Sequence, residues 1–300
     1  MNVLFPVFLL ILLGYIFRRT GVVELGFWAQ AERATYYVFF PALLVANLST
    51  ASFGEQPALT MAGALITGVV SVTGIALFLQ SRLVIPGPAF SSIFQGSIRL
   101  NTYVGIAAAS AMAGSPGVTL SAVALITLIP LVNFLCVPVV SHYGSAQLSS
   151  LKSILATLAK NPLILGSLGG FALNFMHVQL PESIYEVLRL LGRAALPLGL
   201  LTVGAGLNFR RIAPQKYRIL MASFLKLILL PAVTMLACRL YHVPAPADVI
   251  AVLFASLPTA VSSFILARQL GGDEDLMASI ITTQTVLAFV TLPLALYLVD

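Results

Sequence analysis

Two apolar stretches of the chain are interrupted by residues that break helices and by polar side chains suited to binding an anion. The first interruption is Arg99–Gly105 and the second is Ser256–Val261. Asn101 and Pro258 are 157 residues apart in a chain of 300, so each half carries one interruption at the same relative position. Backbone groups freed inside a bilayer must be satisfied by protein or by water in a cavity. Paired interruptions of this kind are typical of the binding site of a transporter.

The residue types at the interruptions predict a site for a carboxylate. Each broken helix presents a half-helix N-terminus that carries about half a unit of positive charge. Neighbouring amides and hydroxyls can donate hydrogen bonds to the same anion, although Ser, Thr and Asn also join helices without binding a ligand. The predicted substrate-binding residues are Asn101, Thr102, Arg99, Pro258, Thr259 and Ser262, and the predicted hinges or breaks are Gly105, Pro41 and Pro197.

Two basic residues, Arg99 and Lys226, fall inside predicted membrane spans. A charge near mid-bilayer costs about 3 kcal/mol or more unless it faces protein, water or a counter-ion. Arg99 has two open interpretations: it holds an anion, or it snorkels or caps carbonyls released at the break. Lys226 lies a turn or two from the predicted cytoplasmic end of its span, so we predict that it snorkels to the interface.

The composition is that of an integral membrane protein. Hydrophobic residues make up 59% of the chain and charged residues 9%, whereas soluble domains have about 25% charged residues. At roughly 20 residues per span, the chain accommodates about ten spans. Met1 begins an uncharged run, which predicts a retained first helix instead of a cleaved signal peptide. The spans are predicted at 2–17, 34–50, 58–80, 91–112, 118–140, 154–175, 188–207, 219–239, 248–268 and 277–298.

The basic residues predict the orientation of these spans. Eleven of the 16 Lys and Arg residues fall in loops on one side of the predicted topology, and only Arg189, Arg193 and Arg239 fall on the other. The positive-inside rule then places both termini outside the cytoplasm, in a multi-pass protein of the plasma (inner) membrane. The basic excess is therefore a topology signal, and no nucleic-acid partner is predicted.

Prolines and glycines recur at an offset of about 156 residues. Pro6 corresponds to Pro162, and Pro41 to Pro197. This period predicts a duplicated unit of five helices, with residues 1–145 as the first repeat, 146–300 as the second and 141–160 as the linker. Because each unit has an odd number of helices, the second unit enters the membrane from the opposite side, so the repeats are inverted. The predicted fold class is all-α integral membrane, with ten transmembrane helices, interrupted helices 4 and 9 that cross, and scaffold and transport parts each drawn from both repeats.

Enzymatic functions are not supported by the residues available. All ten acidic residues lie in predicted loops or at span ends, which argues against a proton relay or an intramembrane acid pair. No zinc-hydrolase or nucleotide-binding motif is present. Cys136 and Cys238 lie in predicted spans and are interpreted as packing residues. We therefore predict no enzyme activity, no cofactor and no metal.

Several short segments together resemble the auxin efflux carrier family, and in particular its bacterial members. They are Gly14-Tyr15 with Arg18-Arg19, Phe40–Leu44, Gln95–Thr102 with Gly105, Leu196–Leu198 with Gly204–Leu207, and Leu257–Thr259 with Ala267 and Gly271. The resemblance covers nearly the whole chain. It implies ten helices in two inverted repeats, elevator-like alternating access, and organic anions such as malonate or malate as substrates. Asn101 and Pro258 match the family's residues at the first and second crossings.

This chain differs from many relatives after Gly105, where Ile106-Ala107-Ala108 has no proline. Pro258 is therefore expected to be the firmer break. The long cytoplasmic loop of the plant carriers is also absent, so regulation through that loop does not transfer to this chain.

The predicted function is secondary transport of small organic anions across the lipid bilayer. One alternative is a facilitative or channel-like pathway for other carboxylates, including auxin-like aromatic acids. Another is a membrane sensor that binds a ligand without moving it. A homodimer is compatible with the sequence, which leaves the oligomeric state open.

Overall fold

A computed structural model describes residues 4–51, 58–144, 159–208 and 215–299, and within these ranges the chain is helical without strands. The predicted linker and the boundary at 145/146 fall largely on residues 145–158, outside the described ranges. The helices are α1 (Phe5–Thr20), α2 (Leu25–Ala34), α3 (Phe40–Ser49), α4 (Ala58–Leu83), α5 (Gly87–Ile98), α6 (Thr102–Tyr143), α7 (Pro162–Phe175), α8 (Glu182–Gly206), α9 (Lys216–Phe224), α10 (Leu230–Leu240), α11 (Ala247–Ser256), α12 (Ser262–Leu270) and α13 (Glu274–Tyr297).

Several of these helices are long and apolar enough to cross a bilayer. Among the described residues, five helical stretches meet that condition: Ala58–Leu83, Gly87–Tyr143, Glu182–Gly206, Lys216–Leu240 and Glu274–Tyr297. Shorter apolar helices, α7 and α11, accompany them. The chain is therefore a multi-pass membrane protein, while the count of ten spans and the inverted repeat stay predictions.

Two π-turns each precede a proline. Thr35–Phe39 joins α2 to α3 ahead of Pro41, and Leu225–Leu229 joins α9 to α10 ahead of Pro231. A proline has no N–H and its ring displaces the carbonyl four residues earlier, which disfavours a regular α-turn. The backbone N–H groups of Phe40 and Leu230 instead bond five residues back, to the carbonyls of Thr35 and Leu225. Each π-turn thus accommodates a proline within a continuous helical stretch.

The chain divides into two compact units, of which the first comprises Met1–Gln56, Tyr103–Ile126 and Ala156–Gly206. Glycines allow close helix packing in this unit. A Cβ added at Gly14 in α1 would overlap the backbone of Leu201 in α8, and one at Gly204 would overlap the Ile11 carbonyl. Small residues of this kind are common where membrane helices approach closely. The Arg18 guanidinium donates to the Ala205 carbonyl near the end of α8.

The second unit comprises Pro57–Thr102, Thr127–Leu155 and Leu207–Asp300. Its core includes a buried apolar cluster in which α5, α9, α12 and α13 meet. The cluster is Ala89, Ile93, Ile219, Ala222, Ala267, Leu276, Met277, Ile280 and Ile281. The second predicted interruption and the segment Arg99–Thr102 of the first lie in this unit, and the packing of α5 against α13 positions Arg99–Thr102.

The contact between α1 and α8 gives a stability prediction. Gly204→Ala should lower the melting temperature of the purified protein by several degrees, because the new methyl meets backbone that cannot move aside and overpacking costs about 1–3 kcal/mol. Gly169→Ala in α7 is the matched control, since a Cβ there meets no atom within 4 Å. An equal melting temperature for both variants would contradict the close contact.

Candidate functional site

Both predicted interruptions are present in the described helices. In the first, α5 ends at Ile98, Arg99 is extended (φ −70°, ψ 152°), and α6 begins at Thr102. In the second, α11 ends at Ser256 and Leu257 is extended (φ −64°, ψ 143°), before α12 begins at Ser262. The first helix therefore breaks even though no proline follows Gly105. The expectation that Pro258 is the firmer of the two breaks stays a prediction.

The two interruptions are joined by a backbone hydrogen bond. The Asn101 N–H donates to the Pro258 carbonyl at 2.8 Å. In an unbroken helix this N–H would bond the carbonyl of Ser97, four residues earlier. Asn101 is 3% exposed and Pro258 is buried. Residues distant in sequence thus meet at one place inside the second unit.

Gln284, in the middle of α13, satisfies several polar groups at this meeting point. Its Nε2 donates to the Gly96 carbonyl at 2.8 Å, and its Oε1 accepts from the Thr259 N–H at 3.0 Å. The Thr259 hydroxyl lies 2.7 Å from Gln284 Oε1 and 3.0 Å from the Gly96 carbonyl, so its single proton can serve either oxygen. One buried glutamine therefore replaces the water that a break outside a membrane would use.

Arg99 lies directly at the first interruption and is half-buried. Its Nη1 donates to Asn133 Oδ1 at 3.3 Å, and the guanidinium also lies beside Cys136, one turn further along α6. Asn133 and Cys136 are both uncharged. Among the described residues, no carboxylate forms an ion pair with Arg99. Its contacts keep the anion-holding interpretation open.

Lys226 does not snorkel, and that prediction was wrong. Its side chain is 1% exposed, and Nζ donates to the Ala255 carbonyl at 3.1 Å. The reason is the π-turn Leu225–Leu229, in which Lys226 faces inward while Phe224 and Ile228 on either side remain exposed. The ammonium therefore lies at the end of α11, next to the second interruption.

The remaining predicted site residues occupy different environments. Thr102 is half-buried at the start of α6, Thr259 is buried, and Ser262 is exposed at the start of α12. Cys136 and Cys238 are free and buried. The substrate-binding role of these hydroxyls stays a prediction.

The three predicted hinge residues lie in helical backbone. Gly105 is inside α6, Pro41 follows a π-turn at the start of α3, and Pro197 is inside α8. The non-helical residue of α6 is Gly114, whose positive φ of 57° suits a glycine. The hinge roles of Gly105, Pro41 and Pro197 therefore stay predictions.

The electrostatics of the meeting point are asymmetric. Near the carboxyl ends of α5 and α11, the carbonyls of Gly96 and Ala255 already accept hydrogen bonds from Gln284 and Lys226. The negative ends of these two half-helices are thus partly neutralised, one by the Gln284 amide and one by the Lys226 side-chain nitrogen. Carbonyl ends that already accept hydrogen bonds are less able to bind a cation.

Gln284 and Lys226 were missed as site residues in the sequence. The available signal was a polar side chain inside a predicted span, which applies to both residues. Such residues commonly face the protein interior and not the lipid.

The role of Gln284 can be tested directly. Gln284→Leu should lower the melting temperature and strongly reduce transport, because it leaves the Thr259 N–H without its acceptor and an unsatisfied buried group costs about 1–3 kcal/mol. Gln269→Leu, at an exposed position of α12, is the matched control. Wild-type stability and transport in Gln284→Leu would show that the glutamine does not support the interruptions.

Comparison with known proteins identifies the family of this chain. The model of the family described as "Membrane transport protein" matches residues 1–296. The "Putative malonate transporter" of Rhizobium meliloti (strain 1021) is 28% identical over 317 residues, covering 98% of this chain and 94% of that protein. An "Uncharacterized transporter" of Methanothermobacter thermautotrophicus is 27% identical over 296 residues, covering 96% and 94%. The chain belongs to the membrane transport protein family, which is the auxin efflux carrier family that its sequence resembles.

Proposed function

We propose that this protein is a secondary transporter of small organic anions, with carboxylates such as malonate or malate as the substrate class. The observation that carries the proposal is the bond between the Asn101 N–H and the Pro258 carbonyl, which brings two interrupted helices together. Binding sites formed by broken helices near mid-membrane are a general property of secondary transporters. The name of the Rhizobium relative supports the choice of substrate class.

The charge distribution supports an anion as the substrate. Arg99 and Lys226 lie at or beside the interruptions, and the described residues place no carboxylate in an ion pair with either. The half-helices that begin at Thr102 and Ser262 add the positive ends of their dipoles. A carboxylate would be stabilised by both contributions.

We propose elevator-like alternating access as the mechanism, in which a transport part is displaced against a scaffold part. The division of the chain into two compact units, each assembled from segments of both sequence halves, supports this proposal. The accompanying topology is ten spans in two inverted repeats, in the plasma membrane, with both termini outside the cytoplasm. The excess of basic residues on one side of the predicted loops supports that orientation.

Reconstitution into proteoliposomes distinguishes active transport from its alternatives. Accumulation of labelled malonate against its gradient, driven by an imposed proton or sodium gradient, is the expected result. Flux that runs only downhill under every gradient would indicate a facilitative pathway. Binding of malonate to purified protein without uptake would indicate a sensor.

Two substitutions test the site itself. Asn101→Ala keeps the backbone N–H that bonds Pro258 and removes only the side-chain amide, while Arg99→Gln removes a charge. Each should lower kcat/KM for malonate about tenfold or more, since a hydrogen bond to a charged group is worth about 1.5–3 kcal/mol. Arg82→Gln, at the exposed end of α4, is the control and should transport normally. Unchanged kinetics in both test variants would rule out a substrate site at these residues.

A further inference from the structure

The side-chain amide of Asn133, in α6, has a hydrogen-bond partner at each end. Its Nδ2 donates to the Ile129 carbonyl at 2.9 Å, one turn earlier in the same helix, and its Oδ1 accepts from Arg99 Nη1 at 3.3 Å. A backbone carbonyl only accepts, and a guanidinium only donates. The amide nitrogen must therefore face Ile129 and the amide oxygen must face Arg99, so the two partners fix the orientation of the Asn133 side chain.

Arg99 carries its positive charge in this contact, because a guanidinium does not lose its proton in proteins. The partners that the described residues supply to it are uncharged: the Asn133 amide oxygen and the thiol of Cys136, one turn further along α6. Neither of the ion pairs found in that part of the chain includes Arg99. The charge at the first interruption is thus held in place and is not neutralised.

An amide at position 133 has a different effect on Arg99 from that of a carboxylate of the same shape. A carboxylate would form stronger, charge-assisted hydrogen bonds with the guanidinium. It would also cancel the positive charge and occupy donors that a bound anion needs. One amide oxygen and one thiol do not engage all five N–H donors of a guanidinium, whose planar fork suits a carboxylate. Asn133 therefore fixes Arg99 and leaves it able to bind an anion.

We propose that Asn133 is a positioning residue, which holds the Arg99 guanidinium at the first interruption and leaves its charge to the substrate anion. This inference rests on the proposed function, in which Arg99 contributes to the binding of a carboxylate. Asn133 acts through Arg99 and does not itself contact the substrate. Both residues belong to the second unit, in its segments Pro57–Thr102 and Thr127–Leu155.

Two substitutions of Asn133 separate positioning from a purely structural role. Asn133→Asp keeps the size of the side chain and an acceptor for Arg99 but adds a negative charge, whereas Asn133→Leu removes the acceptor. If the contact only joined two helices, the aspartate would be the better tolerated, because it bonds a guanidinium more strongly. We expect the reverse in proteoliposomes that contain the full chain. The kcat/KM for labelled malonate should fall about tenfold or more in Asn133→Asp and less than that in Asn133→Leu.

Asn47 provides the matched control. It is half-buried in α3, its Nδ2 also donates to a carbonyl four residues earlier, that of Leu43, at 2.8 Å, and its Oδ1 accepts from the Ser115 hydroxyl at 3.4 Å. Asn47→Asp therefore makes the same chemical change and loses the same kind of backbone bond, with a hydroxyl in place of the cation. It should transport malonate like the wild type. Melting temperatures of all variants distinguish lost stability from lost transport.

A double-mutant cycle tests whether Asn133 acts through Arg99. Arg99→Gln leaves no charge to hold or to neutralise, so adding Asn133→Asp or Asn133→Leu to it should change kcat/KM by less than about twofold. If Asn133→Asp does not fold, the cycle with Asn133→Leu gives the answer.

Three results would overturn the inference while malonate transport itself stands. They are transport by Asn133→Asp that equals or exceeds that by Asn133→Leu, full-sized losses when either substitution is added to Arg99→Gln, and wild-type kinetics in Arg99→Gln alone. Failure of the wild type to carry any organic anion would instead contradict the proposed function, and this inference with it.

Discussion

A backbone amide inside a membrane protein must find its acceptor in protein or trapped water, and at the first interruption the Asn101 amide finds the Pro258 carbonyl. The rest of the site depends on this constraint. The extended backbone at Arg99 and Leu257 is tolerable because side chains from other helices, chiefly Gln284, satisfy the released carbonyls and amides. Each interruption therefore supports the other, because the Asn101 N–H of the first donates to the Pro258 carbonyl of the second.

The need to hydrogen-bond the freed backbone groups also affects the electrostatics of the site. Carbonyls released near the ends of α5 and α11 attract donors, and the chain supplies an amide to one and an ammonium to the other. Supplying donors to the carbonyl ends leaves the amino ends of α6 and α12 as the positive poles of the arrangement. The anion preference that we propose would therefore come from how the helix ends are satisfied as much as from any individual basic residue.

The positions of the interruptions could be predicted from the sequence because proline, glycine and polar residues in an apolar run act locally on the backbone. The contribution of Gln284 could not, because it depends on α13 packing beside α5, more than 180 residues away in sequence. The prediction that Lys226 reaches the membrane interface was wrong for a related reason. Distance from the predicted helix end suggested an interfacial head group, whereas the π-turn ahead of Pro231 sets the direction in which its side chain projects.

Because of that π-turn, the direction in which Lys226 projects depends on the number of residues between α9 and α10. A π-turn holds one residue more than an α-turn, and each residue of a regular helix advances the side-chain direction by about 100°. Loss of a single residue between Leu225 and Leu229 would restore the shorter turn and rotate α9 relative to α10 by about that angle. Which side chain of this helix faces the interior therefore depends on the number of residues in the turn as well as on their types.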